Sequence, residues 1–290
     1  MKNYPPPIFD RKIRFALVGC GRIASNHFAA IKQYPDQIEL VAICDTDHEA
    51  LIRAAETTNA QPFTNLSEML ERIDIDIVVI ATPSGLHPQQ AIQIAKTGRH
   101  IMTEKPMATR WRDGKNMVQA CDEASVRLFV VKQNRRNATM QLLKQAIVQQ
   151  RFGRIYMVNI NVFWTRPQSY YDSSEWRGTW EFDGGAFMNQ ASHYVDLLHW
   201  LLGPVQSVGA MMGTLARQIE VEDTGVMNLR WRHGAMGTVN VTTLTYPEDK
   251  EGSLTILGEK GSVRFAGKAL NRLEWWQFSE PHEMDALVHE

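Results

Sequence analysis

Ile13-Arg14-Phe15-Ala16-Leu17-Val18-Gly19-Cys20-Gly21-Arg22-Ile23-Ala24 decides the fold. An apolar run ends in Gly-x-Gly-x-x-Ala, and a helix-like stretch over residues 22–33 follows at once. A buried parallel strand that turns sharply into a helix reads this way. Gly19 permits the tight turn. Gly21 lets the backbone approach a pyrophosphate. Ala24, in place of a third glycine, keeps the helix close to the strand. Arg22 and Ile23 open that helix, whose free N–H groups and partial positive charge favour phosphate oxygens.

A second apolar strand, residues 39–44, ends in Asp45, 24 residues beyond Gly21. Near this spacing an acidic side chain accepts hydrogen bonds from an adenosine ribose. Asp45 repels a 2′-phosphate, and Thr46 and Asp47 follow it with no arginine. The stretch therefore predicts NAD rather than NADP. The plainer alternative is a βαβ unit whose glycines only make a turn and whose Asp45 caps the next helix.

The chain has 290 residues, enough for two domains with large cores. A formal net charge of −1 supplies no field to draw in nucleic acid or an anionic membrane. The three cysteines form no CxxC pair and no disulfide framework, which fits a reducing, cytoplasmic setting. Residues 1–10 carry Pro5-Pro6-Pro7 and no apolar core, so they read as an extended arm rather than a signal peptide. No apolar run is long enough to span a bilayer.

From residue 11 to 132 strands and helices alternate, which predicts a doubly wound, mostly parallel sheet with helices on both faces. Expected helices cover 47–57, a segment begun by Ser67, 86–97 and 109–125. Expected strands include 76–81, 100–103 and 127–131. Ligands of such sheets sit beyond the carboxyl ends of the strands. The glycine turn, Asp45, the Thr82-Pro83-Ser84-Gly85 loop with His87, and Glu104-Lys105-Pro106 all fall there. Residues 133–290 read as a second domain for substrate binding and oligomerisation. It begins with a helix over 137–150, a strand over 155–163 and an aromatic loop over 164–182. A helix over 186–202 follows, and then a run of strands forming a large open, mostly antiparallel sheet. One face is expected to take the helix. The other is expected to carry Met227, Leu229, Trp231, Val239 and Val241, which predicts a homo-oligomer, dimer or tetramer, through the sheet. The alternative is cover by the chain's own termini. Residues 274–290 show no clear final element.

Lys105 ends a strand on the ligand-bearing edge. A lysine there can bond a substrate hydroxyl and, beside a positive nicotinamide, has its pKa lowered toward that of a general base. A surface lysine in an ion pair is the equal alternative. On a helix, Asn189, His193 and Asp196 share a face at i, i+4 and i+7. His193 suits proton transfer near neutrality, against the alternative of a buried structural histidine. Arg135, Arg136, Arg166 and Arg177 are candidates for phosphate or carboxylate, and Tyr170, Tyr171, Trp176 and Trp180 for stacking. Internal ion pairs and plain packing are the competing readings. No tight metal-ligand cluster appears, so no metal is expected.

The ordered set Gly19-x-Gly21, Thr82-Pro83-x-x-x-His87, Glu104-Lys105-Pro106 and Gly184-Gly185…His193 resembles the Gfo/Idh/MocA oxidoreductase family over about residues 11–266. The resemblance implies an N-terminal NAD-binding Rossmann domain and a C-terminal α/β domain whose open sheet serves oligomerisation. It also implies hydride transfer between nicotinamide and a sugar or cyclitol hydroxyl without metal. Residues 103–111, 131–137 and 176–180 leading into 184–190 resemble the members acting on UDP-sugars in bacterial surface-polysaccharide (lipopolysaccharide O-antigen) synthesis. Those members oxidise the C3 hydroxyl of UDP-N-acetylglucosaminuronic acid, and an aminotransferase then acts on the ketone.

By that resemblance Lys105 and His193 are the catalytic pair. Thr82, Pro83, Ser84, His87, Glu104, Lys105, Trp176 and Arg177 join Gly19, Gly21, Arg22, Ile23 and Asp45 at the cofactor. Lys105, Arg135, Arg166, Tyr170, Asn189, Gln190 and His193 meet the substrate. The chain departs from the family in three places. Asn189 stands where many members carry aspartate, Ser84 stands where asparagine is common, and a last helical segment is missing, which implies a shortened lid. The alternatives are a dehydrogenase of a free sugar or inositol, and a non-catalytic NAD-binding sensor.

Overall fold

Six short apolar runs pair side by side in the first unit. These are β1 (Ile13–Val18), β2 (Ile38–Cys44), β3 (Gln61–Phe63), β4 (Ile77–Ile80), β5 (His100–Thr103) and β6 (Leu128–Val130). All five pairings are parallel, in the order β3-β2-β1-β4-β5-β6. Parallel pairing requires crossovers, supplied by α1 (Ala24–Lys32), α2 (His48–Thr58), α3 (Leu66–Arg72), α4 (His87–Ala95) and α5 (Trp111–Glu123). Alternate residues of each strand feed opposite cores. Ala16, Val18, Val78 and Ile80 pack with Ile101 and Met117 on one side. Phe15, Leu17, Ile43 and Val79 pack with Phe28 and Leu51 on the other. The strand order reverses direction between β1 and β4, so the crevice beyond their carboxyl ends is the switch point of the sheet. The structure, a computed structural model, describes residues 4–288 and divides into two compact units between Val131 and Lys132.

Asp47, not Asp45, caps α2, accepting the Glu49 N–H at 2.9 Å and the Ala50 N–H at 3.1 Å. The plainer reading of Asp45 as a helix cap is thereby corrected. Asn65 caps α3, so that helix opens at Leu66, one residue ahead of the expected Ser67.

In the second unit α6 (Ala138–Val148) leads to β7 (Ile155–Phe163). A single turn, α7 (Gln168–Asp172), lies in the aromatic loop, and α8 (Ser192–Leu202) precedes β8 (Val205–Gly213), β9 (Thr224–Trp231) and β10 (Met236–Thr242). The strands β11 (Glu251–Gly258), β12 (Gly261–Ala266) and β13 (Arg272–Phe278) complete the sheet. Its order is β13-β12-β11-β7-β10-β9-β8, antiparallel apart from the parallel β7–β10 pair. Tyr194, Leu197, Leu198 and Leu201 of α8 share one core with Ile160, Trp231, Val239 and Ile256.

Two expectations are corrected here. Leu229, Trp231, Val239 and Val241 are buried on the helix-covered face, and Met227 packs against the same core. The strands alternate as expected but in the opposite phase, because a period of two does not say which face is inside. The outer face instead carries a polar belt. Asn240 donates to Asn161 at 2.9 Å, Asn161 to Glu251 at 3.1 Å, and Arg264 to Glu251 at 2.9 Å. Beside the belt lie exposed apolar residues: Met157, Met211, Val226 and Met236. Second, the C-terminal region does form structure. Leu273, Trp276 and Phe278 of β13 pack on the core while Arg272 and Glu274 face outward. A 3-10 turn (Glu283–Val288) is then tied down by Arg151, whose Nη1 lies 2.5 Å from Asp285 Oδ1. That guanidinium holds Asp285 down to about 2. No helix among the described residues is long and apolar enough to cross a membrane.

Candidate active site

At the switch point Gly19 has φ +96°, a conformation that L side chains rarely adopt. A Cβ there would lie 2.6 Å from the carbonyl carbon of Ala81 and 2.7 Å from the Thr82 nitrogen. The turn thus packs backbone to backbone against the end of β4. Gly21 behaves differently, because a Cβ on it would meet nothing within 4 Å. Arg22 and Ile23 lead into α1, whose N-terminus carries no side-chain cap. Open space over a glycine beside an uncapped helix start fits a pyrophosphate. Asp45 borders this space. Its Oδ2 accepts the Cys20 N–H at 2.6 Å and its Oδ1 the Asp47 N–H at 2.9 Å. Those bonds fix the carboxylate where a ribose diol can donate to its remaining lone pairs. The residues present therefore fit a dinucleotide. Burial, with Asp45 adding to it, pushes the Cys20 thiol in this turn up to about 12.

Two further loops close on the same sheet edge. Thr82 Oγ1 donates to Gln90 Oε1 at 2.6 Å, and Pro83 leads into a 3-10 turn (Ser84–Leu86) in which Ser84 is buried. The His87 ring is enclosed, with Nε2 2.8 Å from the Thr82 carbonyl oxygen and Nδ1 2.9 Å from that of Pro106. The ring thereby braces the Thr82 loop against the Lys105-Pro106 segment. Burial holds this imidazole below its ordinary pKa.

Glu104 is also a brace. Its Oε1 lies 2.9 Å from His27 Nε2 on α1, and its Oε2 accepts the Lys105 N–H at 3.2 Å. His27 thus joins the helix after the glycine turn to the Glu104-Lys105-Pro106 segment, a role that the sequence alone left unmarked. Burial by itself lifts the Glu104 carboxyl. The His27 hydrogen bond and charge, with Lys105, outweigh it and hold the group below the carboxylate range. A depressed carboxyl stabilises the fold above its unfolded value of about 4.3 and loses that contribution as the pH falls through its folded value. Thermal melts of wild type and Glu104→Gln are accordingly expected to lie furthest apart near neutrality and to converge in acid. A gap independent of pH would contradict this.

In the second unit Gly184 (φ +85°) and Gly185 (φ +94°) precede a single π-helical turn, Ala186–Gln190, which runs into α8. The expected continuous helix over 186–202 is thus broken near Ala191. π-turns of this kind recur at functional sites. Gly185 is imposed by a neighbour, because a Cβ there would lie 2.1 Å from Glu222 Oε2. The π-turn carries Asn189 and Gln190, and α8 carries His193 and Asp196. Gln133 Nε2, an amide donor, lies 3.3 Å from His193 Nε2. Arg135 grips Asp196 with both arms of its fork, Nε to Oδ2 at 2.7 Å and Nη2 to Oδ1 at 2.6 Å. Gln190 is 5% exposed, and its buried Nε2 has no hydrogen-bond partner among the described residues.

The aromatic loop supplies a second group. Arg177 Nη1 donates to the Tyr170 hydroxyl at 2.6 Å, and its guanidinium lies 4.3 Å from the Tyr170 ring centre and 4.5 Å from that of Trp176. Arg166 pairs with Asp249 at 3.2 Å. Arg135 and Arg166 thus stand in internal ion pairs, as the competing reading of the arginines had it. No group of three or more His, Cys, Asp or Glu among the described residues is placed to hold a metal.

Comparison with known proteins places this geometry. Residues 13–132 match the model of the GFO/IDH/MocA oxidoreductase family, NAD-binding Rossmann fold, and residues 140–264 that of the GFO/IDH/MocA C-terminal domain. The WlbA dehydrogenase from Bordetella pertussis, solved in complex with NADH and UDP-GlcNAcA, is 68% identical, with 98% of this chain and 82% of that one covered and a TM-score of 0.97. The WlbA dehydrogenase of Chromobacterium violaceum, solved with the same two ligands, is 64% identical over 98% of this chain and 83% of its own, again at a TM-score of 0.97. The myo-inositol 2-dehydrogenase of Thermotoga maritima is 25% identical over 87% of this chain and 74% of its own. Parallel six-stranded sheet, glycine turn and mostly antiparallel second sheet agree with these matches, and the chain belongs to the Gfo/Idh/MocA oxidoreductase family.

Proposed function

We propose that this protein oxidises the C3 hydroxyl of UDP-N-acetylglucosaminuronic acid to the 3-keto sugar with NAD. The observation that carries the reading is the 68% identity, over nearly the whole chain, to a dehydrogenase solved with NADH and that UDP-sugar. At 25% identity the inositol dehydrogenase shares the family and speaks far less to substrate.

NAD, when bound, takes up a hydride from the carbon that bears the alcohol. The chain's own residues do the rest. Gly19, Gly21, Arg22 and Ile23 receive the diphosphate at the start of α1, and Asp45 accepts from the adenosine ribose. Thr82, Pro83 and Ser84 line the same edge, braced from behind by His87 and Glu104. Lys105 and His193 hold the substrate hydroxyl and take its proton. Gln133, 3.3 Å from His193 Nε2, fixes the orientation of the imidazole. Trp176 lies against the cofactor. Tyr170 and Arg177, stacked and hydrogen-bonded together, suit the anionic parts of cofactor and sugar nucleotide. Asn189 contacts the sugar. Arg135 and Arg166 reach the substrate only alongside their carboxylate partners.

A ketone at C3 prepares that carbon for amination, which fits a step in surface-polysaccharide synthesis. The three free cysteines and the need for NAD fit the cytoplasm. The chain assembles as a dimer or tetramer through the open face of the second sheet, where Met211 is 75% and Met236 50% exposed beside the polar belt.

The test is a substrate panel. Purified protein and NAD are mixed with UDP-N-acetylglucosaminuronic acid, free glucose or myo-inositol, and NADH absorbance is followed through both the first turnover and the steady state. NADH is expected with the UDP-sugar alone. NADH with inositol or glucose instead would overturn the substrate assignment. NAD binding without reduction by any of them would favour a sensor.

A further inference from the structure

Asp183 is 1% exposed, and its carboxyl group accepts from two N–H donors, one on the backbone and one on a side chain. Its Oδ2 accepts the Gly178 N–H at 2.9 Å, and its Oδ1 accepts from Asn189 Nδ2. Asn189 sits on the π-turn one helical turn ahead of His193. An asparagine amide offers donors at its nitrogen and an acceptor at its oxygen, and an unanchored one can present either end. A carboxylate receiving the nitrogen end removes that freedom. The amide oxygen is then turned away from Asp183.

We propose that Asp183 is a positioning residue that fixes Asn189 as a hydrogen-bond acceptor toward the donor it meets in the active site, the sugar hydroxyl. The identity of that donor rests on the dehydrogenase reading above. The orientation of the amide does not. An alcohol about to lose its proton is a donor, so an acceptor beside it holds the O–H in a defined direction, whereas an NH2 group would compete for the same oxygen lone pairs. An aspartate at 189 would accept along every edge but would set a second charge against Asp183. The pair of Asp183 and Asn189 supplies an acceptor without that charge.

The ground beneath the pair is rigid. Glu222, 4% exposed, accepts the Phe187 N–H at 3.0 Å through Oε1 and fills the space over Gly185. Burial, with Asp183 adding to it, holds the Glu222 carboxyl above its ordinary value. The titratable neighbours of the pair include Glu222, Tyr171 of α7 and, one helical turn beyond Asn189, His193 of α8.

Three variants test the proposal: Asp183→Asn, Asn189→Asp, and the exchanged double variant carrying both. Asp183→Asn is expected to lower kcat about tenfold or more with KM for NAD unchanged, since one charge-assisted bond orients the acceptor. In Asn189→Asp two carboxylates meet and one takes up a proton, so kcat should acquire a pH dependence absent from the wild type. The double variant again joins one carboxylate to one amide. It is expected to recover kcat to within a few-fold and to lose the added pH dependence, which a merely structural role would not produce. A wild-type pH profile in Asn189→Asp, or no recovery in the double variant, overturns the proposal.

A second readout needs no substrate. In protein labelled with 15N-asparagine, the Asn189 side-chain amide, assigned by its loss in Asn189→Ala, should show slowed proton exchange that vanishes in Asp183→Asn. Unchanged exchange overturns the inference even if no sugar is turned over. Absent wild-type turnover with slowed exchange present indicts the substrate reading alone.

Discussion

Lys105→Ala is expected to lower turnover about a hundredfold or more while NAD still binds, the loss that follows removal of a positioned proton-transfer group. The expectation comes from where the residue stands. Thr103 and Glu104 before it are buried, and Glu104 Oε2 holds the Lys105 N–H. Pro106 after it is braced by His87. Truncating the side chain leaves all of these backbone anchors in place, so the variant should fold and bind cofactor. A comparison of kcat with NAD affinity from fluorescence titration separates the two effects. Wild-type kcat in Lys105→Ala would remove the residue from the chemistry.

The second large effect is structural and concerns the two glycines that open the site. Gly19→Ala places a Cβ against the backbone of Ala81 and Thr82, with φ at +96°. No flexible side chain can yield, so either the turn refolds or β1 and β4 part. Strain and overpacking together are expected to cost about 3 kcal/mol or more in denaturant unfolding, with NAD binding lost. Gly21→Ala meets nothing within 4 Å and should leave stability nearly unchanged. It is nevertheless expected to weaken NAD binding, because the added methyl enters the space assigned to the diphosphate. If Gly21→Ala bound NAD as the wild type does, the diphosphate would lie elsewhere. If Gly19→Ala did so, the turn would not be the rigid feature described.

The first unit was legible because its signals are local. A buried parallel strand is a continuous apolar run, and a glycine turn followed by an acid at a set distance lies within one βαβ unit. The second unit was harder for physical reasons. Alternation along β9 and β10 gave the strands but not the face, and Leu229, Trp231, Val239 and Val241 point inward because α8 covers that side. β13 gives a weak signal because its apolar residues are interleaved with Arg272, Glu274 and Gln277, as befits an edge strand with one wet face. In the site, Lys105 and His193 stood in recognisable motifs. Their supports did not. His27 meets Glu104 across 77 residues of chain, and Gln133 meets His193 across 60. Asp183 lies beside the Gly184-Gly185 pair, and its tie to Asn189 is a side-chain contact that no motif spells out. Arg135 and Arg166 show the opposite case, since composition marks them as anion binders and geometry pairs them with Asp196 and Asp249.

The central claim is that hydride leaves C3 of the UDP-linked uronic acid. UDP-N-acetylglucosaminuronic acid carrying deuterium at C3 tests it most directly, with the reduced cofactor and the sugar product both read by mass spectrometry. Deuterated NADH formed together with a sugar that has lost its label as a ketone is the predicted result. NADH without deuterium, or a sugar that keeps its label, would contradict it.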